Sequence, residues 1–184
     1  MNADGLRTIT VIQGEFKLSN DPQAVLVTIL GSCVATCLWD EGAGVGGMNH
    51  FLLPGDPDDR NGNLRYGVNS MELLINAMLQ KGARRSDLRA KVFGGAKMTK
   101  GNNEIGKNNC EFAFWFLGEE GIPCVAHCIG GTMGRKIRFR PSTGQVQRMF
   151  LQEAIPSEPT LQPRPKAVKP PPPPPGAGDI TLFD

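Results

Sequence analysis

Two cysteines and a histidine carry most of the chemistry this sequence can offer. Cys33 and Cys37 lie four residues apart in LVTILGSCVATCLWD (26–40), and His50 follows in GGMNHFLLP. Cys124, His127 and Cys128 repeat the cysteine spacing much later in the chain. Residues of these types serve as a thiol nucleophile with an imidazole base, as metal ligands, or as core packing. A thiol with a pKa of about 8.5 is only a few per cent ionised at neutral pH, so a nucleophile needs help. Lowering that pKa by two units takes about 2.7 kcal/mol, more than a helix dipole supplies alone. A histidine partner is therefore expected. His50 stands on the next expected strand, where a short return brings it beside Cys33, so spacing favours it over His127 as the base.

Cys33 follows Gly31 and Ser32 at the end of AVLVTIL (24–30), a continuous apolar run of buried-strand length. Glycine there permits a tight turn and close approach of a substrate. If VATCLW is a short helix, Cys33 sits at its N-terminus, where backbone N–H groups and the dipole stabilise a thiolate. Cys37, beside Leu38 and Trp39, reads as packing. A shared metal is the weaker reading. Zinc-binding pairs sit in knuckle-like turns with Gly or polar residues between the ligands, whereas VAT and VAH suit core elements. On a strand, Cys124 and Cys128 would also stand too far apart to chelate one ion. No metal ligands are assigned.

These residues need elements to position them. RTITVIQGEFKL (7–18) alternates and reads as a strand or the start of a hairpin. A second strand is expected to end near Pro54, and DPDDRNGNLR (56–65) reads as a loop. In VNSMELLINAMLQKGA (68–83), Met71, Leu74, Ile75, Met78 and Leu79 recur at three and four, which predicts a helix capped by Asn69 or Ser70 and closed by Gly82. RAKVFGG (89–95) reads as a strand, and KNNCEFAFWFLGEEG (107–121) as a second helix stopped by Gly118 or Gly121. PCVAHCIGG, GRKIRFRP and TGQVQRMFLQE supply further strands. Two helices on one face of about six mostly antiparallel strands make an α+β layered fold.

Composition bounds the class. The chain has 184 residues, 40% of them hydrophobic, enough for one core. Net charge is +2 and the basic residues are scattered, without the aromatic-interleaved basic stripe of a nucleic-acid binder. In RKIRFR (135–140), Ile137 and Phe139 alternate with Lys136, Arg138 and Arg140, as on a half-buried strand. No apolar stretch is long enough to span a bilayer, and no signal peptide is expected at the N-terminus. A cytoplasmic protein with reduced thiols is the expectation. Ten of the fifteen prolines fall after residue 155, six of them consecutive at 170–175. Residues 1–155 thus read as one domain and 156–184 as a Pro-rich solvated tail ending in GDITLFD, a short docking motif or a frayed end.

TILGSCVATCLWD, GGMNHFLLP, RYGVNSMELLINAML, GGAKM, IGKNN, GGTMGRKIRF and PSTG together resemble the chemoreceptor glutamine deamidase family, CheD, of chemotaxis. The resemblance covers about residues 10 to 150, with LGSC and the distant MNH its most specific parts. It implies a three-layer α-β-β sandwich related to the catalytic core of cytotoxic necrotizing factor toxins. It implies a cysteine hydrolase that converts receptor glutamines to glutamates and releases ammonia. The family's nucleophile matches Cys33, its base His50, and its threonine Thr28, ahead of Thr8 and Thr36. Ser32 and Asn49 become candidate substrate-binding residues, and Tyr66, Asn69 and Arg135 candidate lining of the groove. No metal or organic cofactor is required. The implied partners are chemoreceptor cytoplasmic helices and, as family members often pair with it, a CheC-type phosphatase. Family members commonly carry an aromatic residue after the GGAxM segment, where this chain has Thr99. A second reading is a binding module for such a phosphatase or for receptors, with catalysis minor. A third, carboxyl methylester hydrolysis, uses the same nucleophile.

Overall fold

A computed structural model describes residues 5–53, 60–98 and 104–151. The tail from 156, Pro54 and Thr99 lie outside the described residues. Among the described residues, nine strands and two α-helices follow one another. They are β1 (Arg7–Thr10), β2 (Phe16–Ser19), β3 (Ala24–Leu30), β4 (Val34–Asp40), β5 (Val45–Asn49), α1 (Arg60–Gln80), β6 (Arg89–Gly94), α2 (Ile105–Glu119), β7 (Cys124–Ile129), β8 (Arg135–Arg140) and β9 (Gln145–Phe150). One sheet has the order β1-β3-β8-β9 and the other β2-β5-β4-β6-β7. The β1–β3 and β6–β7 pairs are parallel and the other five antiparallel.

The layers are helices, five-stranded sheet, four-stranded sheet: the α-β-β arrangement. Strand β4 shows why. Its side chains alternate, with Val34 and Leu38 in the core under the helices and Ala35, Cys37 and Trp39 in the core between the sheets. All seven of its residues are buried, because both faces are covered and both edges are paired. The inter-sheet core takes Leu26 and Leu30 from β3 and Ile137 and Phe139 from β8. The helix-side core takes Met71, Leu74, Ile75 and Met78 from α1 and Phe112, Ala113, Phe116 and Leu117 from α2.

Four expectations are corrected. VATCLW is strand, not helix, so Cys33 has no helix N-terminus behind it. Residues 7–18 form no hairpin: β1 pairs with β3 in one sheet and β2 with β5 in the other. Helix α1 begins at Arg60, within the expected loop, which leaves Asn69 and Ser70 in its interior rather than at a cap. From Asn61 to Arg65 its side chains are exposed or half-buried and only Leu64 is apolar, so no apolar stripe marks its start. Among the described residues the strands number nine rather than about six, since 7–18 divides between the sheets and VATCLW adds β4. The C-terminal stops fall at Gly82 and Gly121, both at positive φ (+97° and +65°).

Candidate active site

The turn 31–33 carries the chain from the four-stranded sheet to the five-stranded one. All three of its carbonyls are held. Gly31 O accepts from the N–H of Ala96 at 2.8 Å and Cys33 O from the N–H of Gly95 at 2.8 Å. Ser32 O accepts from Asn109 Nδ2 at 2.9 Å. The loop after β6 approaches so closely that a Cβ on Gly94 would lie 2.1 Å from Cys33 O, and Gly94 and Gly95 adopt φ of +117° and +67°. Only glycine fits both demands. Asn109, buried on α2, also accepts from the N–H of Leu53 at 2.9 Å. One carboxamide thus ties together the segments before Cys33 and after His50.

His50 follows β5 directly. Val34 and Phe51 form an antiparallel bridge, exchanging N–H···O bonds of 3.0 and 2.9 Å. Val34 and Phe51 face the helices, so their preceding neighbours, Cys33 and His50, both face the other sheet as a diagonal pair. From β3 of that sheet comes Thr28, whose Oγ1 lies 2.9 Å from His50 Nδ1. The Thr28 hydroxyl donates its single hydrogen to Val11 O at 2.8 Å. Its oxygen must therefore accept from His50 Nδ1–H, which assigns the ring's tautomer and puts the basic lone pair of the neutral imidazole on Nε2. The main chain of His50 is pinned as well: its N–H donates to Glu15 O (3.0 Å) and its carbonyl accepts from Gly14 N–H (2.7 Å). Thr28, Cys33 and His50 are all buried, Cys33 with no exposed surface.

Of two neighbours of the thiol, Tyr66 was a candidate for lining the groove and Gln13 had no signal in the sequence. The Cys33 thiol donates to Gln13 Oε1 at 3.5 Å. Tyr66, on α1, has its hydroxyl pKa raised, mainly by burial and further by the charge of Cys33. Asn109 was equally silent.

Other candidates fall elsewhere. Asn49, expected to bind substrate, is not brought to the site. Adjacent strand residues point to opposite faces, so Asn49 faces α1, accepting from Thr36 N–H (2.9 Å) and donating to Met71 Sδ (3.2 Å). Ser32 is adjacent to Cys33 through its backbone, with its carbonyl engaged by Asn109. Arg135 does not line a groove: it is buried and donates to the carbonyls of Cys128 and Gly130, holding that turn. Asn69 is exposed on α1. Cys37 shares the inter-sheet core with Cys33, and burial pushes its thiol far above the ordinary value, with the Lys91 charge pulling only weakly the other way. His127 stands on β7, two strands from β4, edge-on to Phe114 at 5.5 Å. Among the described residues no three His, Cys, Asp or Glu side chains cluster as metal ligands. None of the described helices is long and apolar enough to cross a membrane.

A family model described as CheD chemotactic sensory transduction matches residues 52–149. A probable chemoreceptor glutamine deamidase CheD of Acidiphilium cryptum is 48% identical, covering 98% of this chain and 95% of the relative. The chain belongs to the CheD family. The family model begins after His50, but alignments with full-length CheD relatives span Cys33 and His50 as well. A relative of the same name from Rhizobium johnstonii is 50% identical over 90% of this chain and 92% of its own. Among solved structures, Bacillus licheniformis hypothetical protein YfiH matches with a TM-score of 0.41 at 13% identity, over 64% of this chain and 49% of that one. Neisseria meningitidis protein NMB0706 matches at 0.42 and 11%, over 70% and 64%.

Proposed function

We propose that this CheD-family chain is a chemoreceptor glutamine deamidase, a cysteine hydrolase that converts receptor glutamine side chains to glutamate and releases ammonia. Its near-full-length relatives carry that name. The observation that supports the chemistry best is the Thr28–His50 hydrogen bond, 2.9 Å, on the same face as Cys33.

In this reading Nε2 of His50 takes the Cys33 proton, and the thiolate attacks the carboxamide carbon of the substrate glutamine. The C–N bond breaks as His50 returns the proton to the departing ammonia, leaving a thioester on Cys33. Water, activated by His50, then cleaves the thioester to glutamate and restores the thiol. Thr28 is a positioning residue: it fixes the imidazole tautomer and orientation. The backbone N–H of Cys33, in a turn whose carbonyls are all held, is the nearest candidate donor to the oxyanion. Ser32 remains its companion candidate; Asn49 does not. The chain's 1–155 region is the catalytic domain, acting in the cytoplasm on receptor helices, with a CheC-type phosphatase as a further partner.

The test is mass spectrometry of a receptor cytoplasmic fragment incubated with the protein, beside Cys33→Ala. A Gln-to-Glu mass gain that disappears in the variant is expected. No gain on any receptor fragment, with binding intact, would replace the enzyme reading by a binding module.

A further inference from the structure

Cys33 has no exposed surface and His50 is 3% exposed, so a glutamine from another molecule cannot touch the sulphur in this conformation. A carboxamide is already there. Gln13 Oε1 accepts the thiol hydrogen bond at 3.5 Å. Gln13 is half-buried and reaches in from the β1–β2 connection, which passes from one sheet to the other beside the site. The main chain on both sides of it is fixed. Val11 N–H donates to Val27 O (2.9 Å), Val11 O accepts from Thr28, and Gly14 and Glu15 bond the two sides of the His50 backbone. Motion is therefore left to the side chain of Gln13, which has three rotatable angles.

Resting on the deamidase reading, we propose that Gln13 occupies, in the substrate-free protein, the place at Cys33 that the substrate carboxamide takes, and must swing out for each productive encounter. Its side chain is the same chemical group as the substrate's, with the same oxygen and NH₂ inventory. The bond that holds it needs the S–H hydrogen. When His50 removes that proton, the carbonyl oxygen of Gln13 faces a thiolate, two acceptors with nothing between them. Ionisation of Cys33 and departure of Gln13 therefore favour one another, and a neutral, covered thiol is kept between turnovers. The cost is a reduced fraction of substrate-competent molecules, which weakens apparent binding by that fraction.

The experiment compares the full-length wild type with Gln13→Ala. Iodoacetamide labelling of Cys33 is followed by peptide mass spectrometry at one neutral pH, on the rising part of the rate profile where the S–H bond to Gln13 still forms, with half-exposed Cys124 as internal reference. Both proteins are also assayed on a receptor cytoplasmic fragment. The variant is expected to label Cys33 about two- to tenfold faster, the population change one net hydrogen bond supports, with Cys124 unchanged and KM for the fragment lowered by a similar factor. Unchanged labelling at Cys33 overturns the proposal. So does faster labelling without a lower KM, because the substrate would then not compete with Gln13. A fall in kcat with unchanged labelling would instead make Gln13 a donor to the transition state. Labelling needs no receptor, so a wild type that modifies no fragment defeats the deamidase reading while the labelling comparison still decides whether Gln13 covers the thiol.

Discussion

The Thr28 hydroxyl has one hydrogen and gives it to Val11, so the imidazole has no choice of tautomer at Nδ1. Thr28→Val removes that acceptor with little change of volume and should lower kcat/KM about tenfold or more; Thr28→Ser, which keeps the oxygen, should restore most of it. A purely structural role for Thr28 would instead lower stability in both variants without separating their turnover. Cys37→Ala should leave turnover near wild type and remove no alkylation site, since burial keeps its thiol neutral. At this scale the sequence was informative where residue types are rare: with five cysteines and two histidines, few couples are possible. It was silent on Gln13 and Asn109, because carboxamides are common and their partners lie far off in the chain, Ser32 and Leu53 being 77 and 56 residues from Asn109. It misjudged Asn49, which adjoins His50 in sequence but, by the period-two rule, points to the other face.

The elements that set the site are β4 and the loop after β6. VATCLW was readable as helix or strand, because a short apolar run shows no period when both faces are buried. The strand outcome replaces the dipole with geometry: carbonyls of the 31–33 turn are gripped from the loop after β6 and from α2, and the bridge to Phe51 orders His50. Gly94→Ala should therefore be severe, since its Cβ would fall on Cys33 O at φ +117°. We expect loss of folded protein in thermal denaturation, or folded protein without turnover. Asn109→Ala leaves the buried Leu53 N–H and the half-buried Ser32 carbonyl without their partner and should cost about 1–3 kcal/mol in denaturant unfolding. The α1 stripe from Met71 to Leu79 was legible because it faces the core, whereas its first turns were not, because they face water.

Across the whole molecule, both cores meet on the central sheet, so the site depends on all three layers being in register. Asp40 at the end of β4 joins two of its connections, accepting from the N–H of Ala43 (3.0 Å) and of Arg84 (2.9 Å). Burial alone would raise its pKa, but bonds from the Arg84, Ala43 and Gly42 N–H groups and the Arg84 charge together lower it. Its stabilisation is therefore full above the unfolded carboxyl value of about 3.9 and is lost as pH falls through the lower folded value. The stability gap between wild type and Asp40→Asn, read by urea denaturation, should be largest near neutrality and close below about pH 4. The layered fold class was legible from two helical stripes among alternating strands, but the assignment of β1 and β2 to different sheets was not, because pairing partners are a tertiary property. Deleting residues 156–184 should leave turnover on a free peptide unchanged if that segment is a linker. The most direct test of the central claim is to acid-quench the protein during turnover of a glutamine-containing receptor peptide and map the covalent adduct. The account predicts the peptide acyl group, less ammonia, on Cys33 and released by hydroxylamine; glutamate formation that persists in Cys33→Ala, or an adduct on another residue, would contradict it.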